Sequence, residues 1–110
     1  MENDCLFCKI ASGQTDTPFL FENEHLVVFR DIHPHAPVHL LIVPKRHIRS
    51  VNDLTEADHA VLAEMIMTAK LMAKQENVDA SGYKLLINVE RGGGQVIFHL
   101  HLHLMGGKVW

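Results

Sequence analysis

The chain has 110 residues, 47% of them hydrophobic, which suits a single domain over residues 1–110 with one real core. Its formal net charge of −3 supplies no basic field for nucleic acid or an anionic membrane surface. No apolar run approaches the roughly 20 residues of a membrane helix, so neither nucleic acid nor a membrane is an expected partner. Nine histidines are the compositional anomaly.

MENDCLFCKI lacks a basic segment followed by an apolar one, so no secretory signal is read and the cytoplasm is the expected compartment. Within it, residues 4–12 (DCLFCKIAS) predict a short helix capped by Asp4 and stopped near Gly13. Cys5 and Cys8 form a C-x-x-C pair, which in a reducing compartment points to metal or redox chemistry more than to a structural disulfide. TDTP is a turn. Residues 18–22 (PFLFE) and 25–30 (HLVVFR) read as two strands joined by a tight turn at Asn23-Glu24. DIHPHAP is a loop, because its two prolines exclude regular structure. VHLLIVP, residues 38–44, is nearly continuous in apolar residues and is therefore expected to be a central strand.

From Thr55 to about Asn77 the period changes. Val61, Leu62, Met65, Ile66, Ala69, Met72 and Ala73 recur at three- and four-residue steps, giving a helix with one apolar stripe. Thr55 followed by Asp58 supplies an N-cap with an acidic first turn. Residues 83–89 (YKLLINV) and 96–105 (VIFHLHLHLM) are read as the last two strands, with the glycine-rich RGGGQ between them as a loop. The predicted fold is α+β: a five-stranded antiparallel sheet, one long helix packed on it, and a short N-terminal helix.

The chemistry is concentrated in FHLHLHLM, residues 98–105. Strand side chains alternate, so His99, His101 and His103 are expected on one face and Leu100, Leu102 and Leu104 in the core. Neighbouring imidazoles would then stand roughly 6–7 Å apart, twice the strand rise. A solvated strand face is one reading, although three imidazoles serve that purpose poorly. An affinity tag does not fit, since these histidines alternate within a patterned strand. A zinc site is another reading, because His-x-His pairs on strands bind zinc. The remaining one is nucleophilic catalysis, in which a neutral imidazole attacks an electrophilic phosphorus. The adjoining glycines favour it, because their backbone N–H groups can approach a phosphate closely.

His99-Leu-His101-Leu-His103-Leu-Met105 matches the His-φ-His-φ-His-φ-φ signature, and the chain resembles the histidine triad superfamily. FRDIHPHAPVHLLIVPKRHI, residues 29–48, and YKLLINVERGGGQ resemble its HINT-like nucleotide-binding branch. That resemblance implies a homodimer with a ten-stranded sheet. It also implies hydrolysis of nucleoside 5′-phosphoramidates, and of aminoacyl adenylates, to a nucleoside monophosphate. By the same resemblance, His101 is the nucleophile that forms a nucleotidyl-histidine intermediate and His103 binds phosphate oxygens. His39 and His99 would orient and polarise the nucleophile. Asp31 would hold the ribose hydroxyls, and Phe7, Ile10, Phe29, Ile32 and Leu41 would form a purine pocket. Asn88 and Gln95 would be polar phosphate-side groups, joined by backbone amides around Gly94 and Val96. Relatives often carry Ser where this chain has Val96, which puts turnover or leaving-group preference in question. The C-terminal segment is also shorter than in many relatives, which would reduce one source of selectivity.

Bacterial members of the superfamily suggest a second constellation. Cys5, Cys8, His47 and His99 fill four positions that bind one structural zinc there; no organic cofactor is implied. The alternative for Cys5 and Cys8 is a pair of buried small apolar side chains. Two functional alternatives also stay open: a dinucleoside polyphosphate hydrolase with the same covalent chemistry, and a nucleotide-binding or interaction module with little turnover. A catalytic zinc hydrolase using all three triad histidines is a further reading on spacing alone.

Overall fold

The computed structural model describes residues 5–110. The chain runs α1 (Leu6–Ala11), β1 (Phe21–Glu22), β2 (Leu26–Arg30), β3 (Val38–Pro44), α2 (His59–Gln75), β4 (Tyr83–Leu86) and β5 (Leu102–Gly106), with short 3-10 turns between. The strands form the predicted five-stranded antiparallel sheet, in the order β1-β2-β3-β5-β4.

β3 is central because it can be buried on both faces. Leu40 and Ile42 point toward α2, where they meet Leu26, Val28, Leu102, Leu104, Met65, Ala69 and Met72. Leu41 and Val43 point the other way, with Val27 and Phe29, and pack under Phe7, Ile10 and Ala11 of α1. The short α1 covers only part of that second face. The remainder stays open, and the register assigns its rows. Phe29 lies opposite Leu41, Leu41 opposite His103, and His103 opposite Leu86. The next row carries His39, Met105 and Lys84.

Several boundaries differ from expectation. The proposed cap Asp4 lies outside the described residues, and Cys5 fills the N-cap position instead, its Sγ accepting from the Cys8 N–H. Only Phe21–Glu22 of the segment 18–22 is strand. The turn between β1 and β2 is organised by the Asn23 side chain, whose Oδ1 accepts from the N–H groups of His25 and Leu26. Ahead of α2, Thr55 and Asp58 form a full capping box, and the buried Asp58 carboxylate also pairs with Arg46. On α2 itself Ile66 is exposed rather than part of the apolar stripe, and Thr68 is buried in the helix. β4 ends at Leu86, well short of residue 89.

The largest correction concerns the last strand, which begins at Leu102 and not near 96. Upstream of it the Leu100 N–H donates to the Ile48 carbonyl at 2.6 Å, so the chain is tied to the segment after β3 instead of to a sheet partner. Leu100, Leu102 and Leu104 are nevertheless all in the core. Of the three histidines, only His103 sits on a paired strand.

Candidate active site and metal-ligand cluster

The bend before β5 separates the triad. His99 is fully buried, and its ring lies beside His47, with centroids 5.0 Å apart. The rings of His101 and His103 stay together at 4.9 Å, closer than an ideal strand would hold them. Three histidines therefore do not face one locus, and a hydrolytic metal held by all three is excluded by this geometry.

Hydrogen bonds to carbonyls assign the tautomers, because a carbonyl can only accept. His99 Nε2–H donates to the Pro44 carbonyl at 2.7 Å, which leaves Nδ1 of the neutral ring with a lone pair. Burial holds the His99 pKa down to about 4, with His47 and His101 adding to the effect and the Pro44 bond opposing it, so the ring is neutral at pH 7. His101 Nδ1–H donates to the His99 carbonyl at 2.7 Å, leaving Nε2 as the free lone pair. His101 is also pushed below its ordinary value by burial, against opposing contributions from that carbonyl and Asp31. His101 is thus a neutral imidazole with a fixed tautomer and no hydrogen bond at Nε2 among the described residues, the state that nucleophilic attack by an imidazole requires.

A second chain of contacts sets His103. The His35 backbone N–H donates to His39 Nδ1 at 3.0 Å, so His39 carries its proton on Nε2. That proton faces His103 Nδ1 at 2.9 Å, with Asp31 Oδ2 at 3.5 Å. His103 then bears its own proton on Nε2, where it can be donated to a phosphate oxygen. Burial lowers the pKa of His39 and brings that of His103 to about 4. Asp31, His39 and His103 are close enough to hold an ion. The His35 N–H nevertheless already uses the lone pair of His39 that would have to be vacated for Nε2 to ligate, so the group reads as a hydrogen-bond chain.

These rings line a cavity of about 930 Å³. Phe7, Ile10, Phe29 and Leu41, all buried, form an apolar wall, and Phe7 meets Phe29 and His101 edge-on at 5.5 and 5.0 Å. Asp31, Asn88, Gly94 and Val96 also line it, as does Ile32, which is 84% exposed and so forms rim more than pocket floor. Val96 is 83% exposed and presents only hydrocarbon.

Two of the expected site residues do not line the cavity. His99 belongs to the cysteine cluster and touches the site through its carbonyl. Gln95 is buried, and its side chain is spent on the backbone. Its Nε2 donates to the carbonyls of Arg49 and Ile97, and its Oε1 accepts from the Glu90 N–H. Gln95 thus braces the glycine loop instead of lining the cavity. The same loop contains Glu90 at φ 58°, a left-handed conformation that a side chain disfavours. Arg49 and Ser50 grip its carboxylate and hold it below its ordinary pKa. Asn88 supports the loop through its Nδ2, which donates to the Gly93 carbonyl at 2.7 Å.

Cavity residues overlooked in the sequence include His33, His35, Lys84, Met105, Lys108 and Trp110. Strand alternation could have found Lys84, since it shares a face with Leu86 and lies opposite Met105. The histidines of the 33–37 loop and the C-terminal residues carry no periodic signal.

The second cluster brings together all four expected residues. Cys5 Sγ lies 3.2 Å and Cys8 Sγ 3.4 Å from His99 Nδ1, and Cys8 Sγ lies 3.2 Å from His47 Nδ1. The four candidate ligand atoms all fall within 4.8 Å of one another. Tetrahedral zinc with ordinary Zn–S and Zn–N bonds places sulfur and nitrogen about 3.5 Å apart, so the donor set fits such an ion. The bond from His99 Nε2–H to Pro44 is the outer contact that orients a ligating imidazole.

A family described as scavenger mRNA decapping enzyme C-term binding matches residues 4–109. The chain is 37% identical over 108 residues to the purine nucleoside phosphoramidase of Escherichia coli strain K12, covering 98% of this chain and 91% of that one. A HIT family hydrolase from Legionella pneumophila Philadelphia 1 superposes with a TM-score of 0.94 at 47% identity, covering 96% of this chain and 95% of that chain. A zinc-bound histidine triad family protein from Mycobacterium smegmatis superposes with a TM-score of 0.82 at 27% identity, covering 98% of this chain and 78% of that chain. With His101 and His103 of its triad on such a cavity wall and these relatives spanning almost its whole length, the chain belongs to the histidine triad (HIT) family.

Proposed function

We propose that this HIT hydrolase cleaves nucleoside 5′-phosphoramidates, and aminoacyl adenylates, through a covalent intermediate on His101. One observation carries the reading: His101 Nδ1–H is bound to the His99 carbonyl, so the Nε2 lone pair is available beside His103 on the cavity wall. In the first step Nε2 bonds to phosphorus while the P–N bond breaks, and the amine leaves with a proton drawn from the solvent-connected site. The phosphorylated ring carries an imidazolium charge, which the His99 carbonyl stabilises through Nδ1–H; hydrogen bonds to charged groups contribute about 1.5–3 kcal/mol. His103 Nε2–H supports a phosphate oxygen, and His39 holds His103 in that tautomer. Water then attacks phosphorus, releases the nucleoside monophosphate and restores neutral His101. The apolar wall suits a purine, and the Asp31 carboxylate suits a ribose diol. The activity named for the Escherichia coli relative supports the same substrate class.

Zinc is the ion that best fits Cys5, Cys8, His47 and His99. Two thiolates and two imidazoles at these separations suit it, and the mycobacterial relative is zinc-bound. Its contribution when bound is structural, linking α1 to the segment that carries the nucleophile. Reduced thiols of this kind accord with a cytoplasmic setting.

A homodimer accounts for two exposed features. The outer edge of β4 has no strand partner among the described residues, and α2 exposes Ile66, Met67 and Leu71 at 47%, 61% and 50%. Pairing of β4 edges would give the ten-stranded sheet. No described helix is long and apolar enough to cross a membrane.

Adenosine 5′-phosphoramidate should be hydrolysed by the intact chain, and His101→Ala should lower the rate by at least about a thousandfold, the scale of nucleophile loss in covalent catalysis. Equal rates would remove His101 from that role. Protein purified without an affinity tag should contain close to one equivalent of zinc and melt at lower temperature after chelation. Less than a tenth of an equivalent, with unchanged melting, contradicts the metal site. Sedimentation should give twice the chain mass; a monomer at all concentrations excludes the shared sheet.

A further inference from the structure

The cavity has chemically different ends. Asp31 follows β2 and donates its N–H to the His39 carbonyl, whereas Lys84 lies in the same row at the opposite side, on β4. Three strand spacings, roughly 14 Å, separate them. A nucleoside held at Asp31 and the Phe7–Phe29 wall, with its phosphate at His101 and His103, directs the group leaving phosphorus toward β4. Lys84 is opposite Met105, two residues beyond His103, and is thus a diagonal neighbour of His103 at roughly 7–8 Å between backbones.

The charges at that end are unusual for a chain of net charge −3. Asp31 is the only acidic residue among the described residues that line the cavity. Of the lining cations, Arg30 is committed to Glu76 through contacts at 2.9 and 3.1 Å. Lys84 and Lys108 have no carboxylate partner among the described residues. Each ammonium instead lies 5.1 Å from the centroid of the Trp110 ring, so one indole gathers two positive charges at the cavity mouth. With no carboxylate paired to either ammonium among the described residues, an anion entering this end of the cavity would be attracted by both.

We propose that Lys84, Lys108 and Trp110 form a leaving-group subsite selective for an anionic leaving group, an amine that itself carries a carboxylate or a phosphate. The subsite rests on the phosphoramidate reading above, and the reaction is unchanged: the His101 Nε2–P bond forms, the P–N bond breaks, and the amine departs with its anionic substituent beside the two ammonium groups. Lys84 and Lys108 hold the leaving group and take no part in bond-making.

The test compares adenosine 5′-phosphoramidates of glycine, of glycinamide and of 2-aminoethyl phosphate, with the intact chain and with the double variant Lys84→Gln/Lys108→Gln. The glycine compound should exceed glycinamide in kcat/KM by roughly tenfold, equivalent to about 1.4 kcal/mol. That ratio should fall toward one in the double variant and with rising salt. A larger ratio for the phosphate-bearing amine identifies phosphate as the preferred anion, and a larger one for glycine identifies carboxylate. A ratio near one in the intact chain, or a ratio the double variant leaves unchanged, overturns the subsite. If no phosphoramidate is cleaved, the catalytic reading fails, and calorimetric binding of AMP and ADP tests the subsite separately. Tighter binding of ADP that is lost in the double variant supports it, and equal affinities for the two nucleotides overturn it.

Discussion

The site depends on one buried residue, His99, whose three polar groups face three parts of the molecule. Its Nε2–H is held by the Pro44 carbonyl, its Nδ1 faces the Cys5 and Cys8 sulfurs, and its own carbonyl accepts from His101. The first bond fixes the ring, and a fixed ring leaves its lone pair only one direction. The last bond determines which nitrogen of His101 is free to react. A residue without exposed surface thereby sets the tautomer of its neighbour, and moving it would disturb both the N-terminal helix and the proposed nucleophile.

This arrangement follows from the interruption of β5. Had residues 98–105 continued as a regular strand, the His99 carbonyl would have been available to a neighbouring strand, and its ring would have shared a face with the other two. Instead Leu100 bonds to Ile48, and the alternation of leucines into the core survives without a ladder. Packing on the α2 side therefore keeps the side-chain period, while the backbone ahead of β5 is freed for the site. The glycine loop is held by comparable means. Gln95 saturates three backbone groups and Glu90 accepts a left-handed conformation, both of them side chains spent on positioning the cavity rim.

The regular parts of the fold were legible because they depend on local period and burial. β3 occupies the predicted residues 38–44, since an apolar run of that kind suits only a strand covered on both faces. The stripe on α2 was nearly right, failing at Ile66, where helix geometry turns the side chain away from the sheet. The four residues of the cysteine cluster could be grouped only through a family resemblance, because His99 stands 94 positions from Cys5 and no spacing rule reaches that far. The break in β5 was not legible at all. Alternating leucines look the same to a sequence reading whether or not the backbone between them finds a strand partner. The bracing by Gln95 was not legible for a related reason, since a glutamine beside glycines can face a ligand or hold its own loop, and the sequence does not show its hydrogen-bond partners.

The most direct test of this account is the proton map of the imidazoles, obtained by nitrogen-15 correlation spectroscopy of the histidine rings at pH 7. His99 should carry its proton on Nε2, and His101 on Nδ1 with Nε2 unprotonated. Finding His101 protonated on Nε2, or present as the imidazolium, would contradict the proposal that the His99 carbonyl prepares the nucleophile.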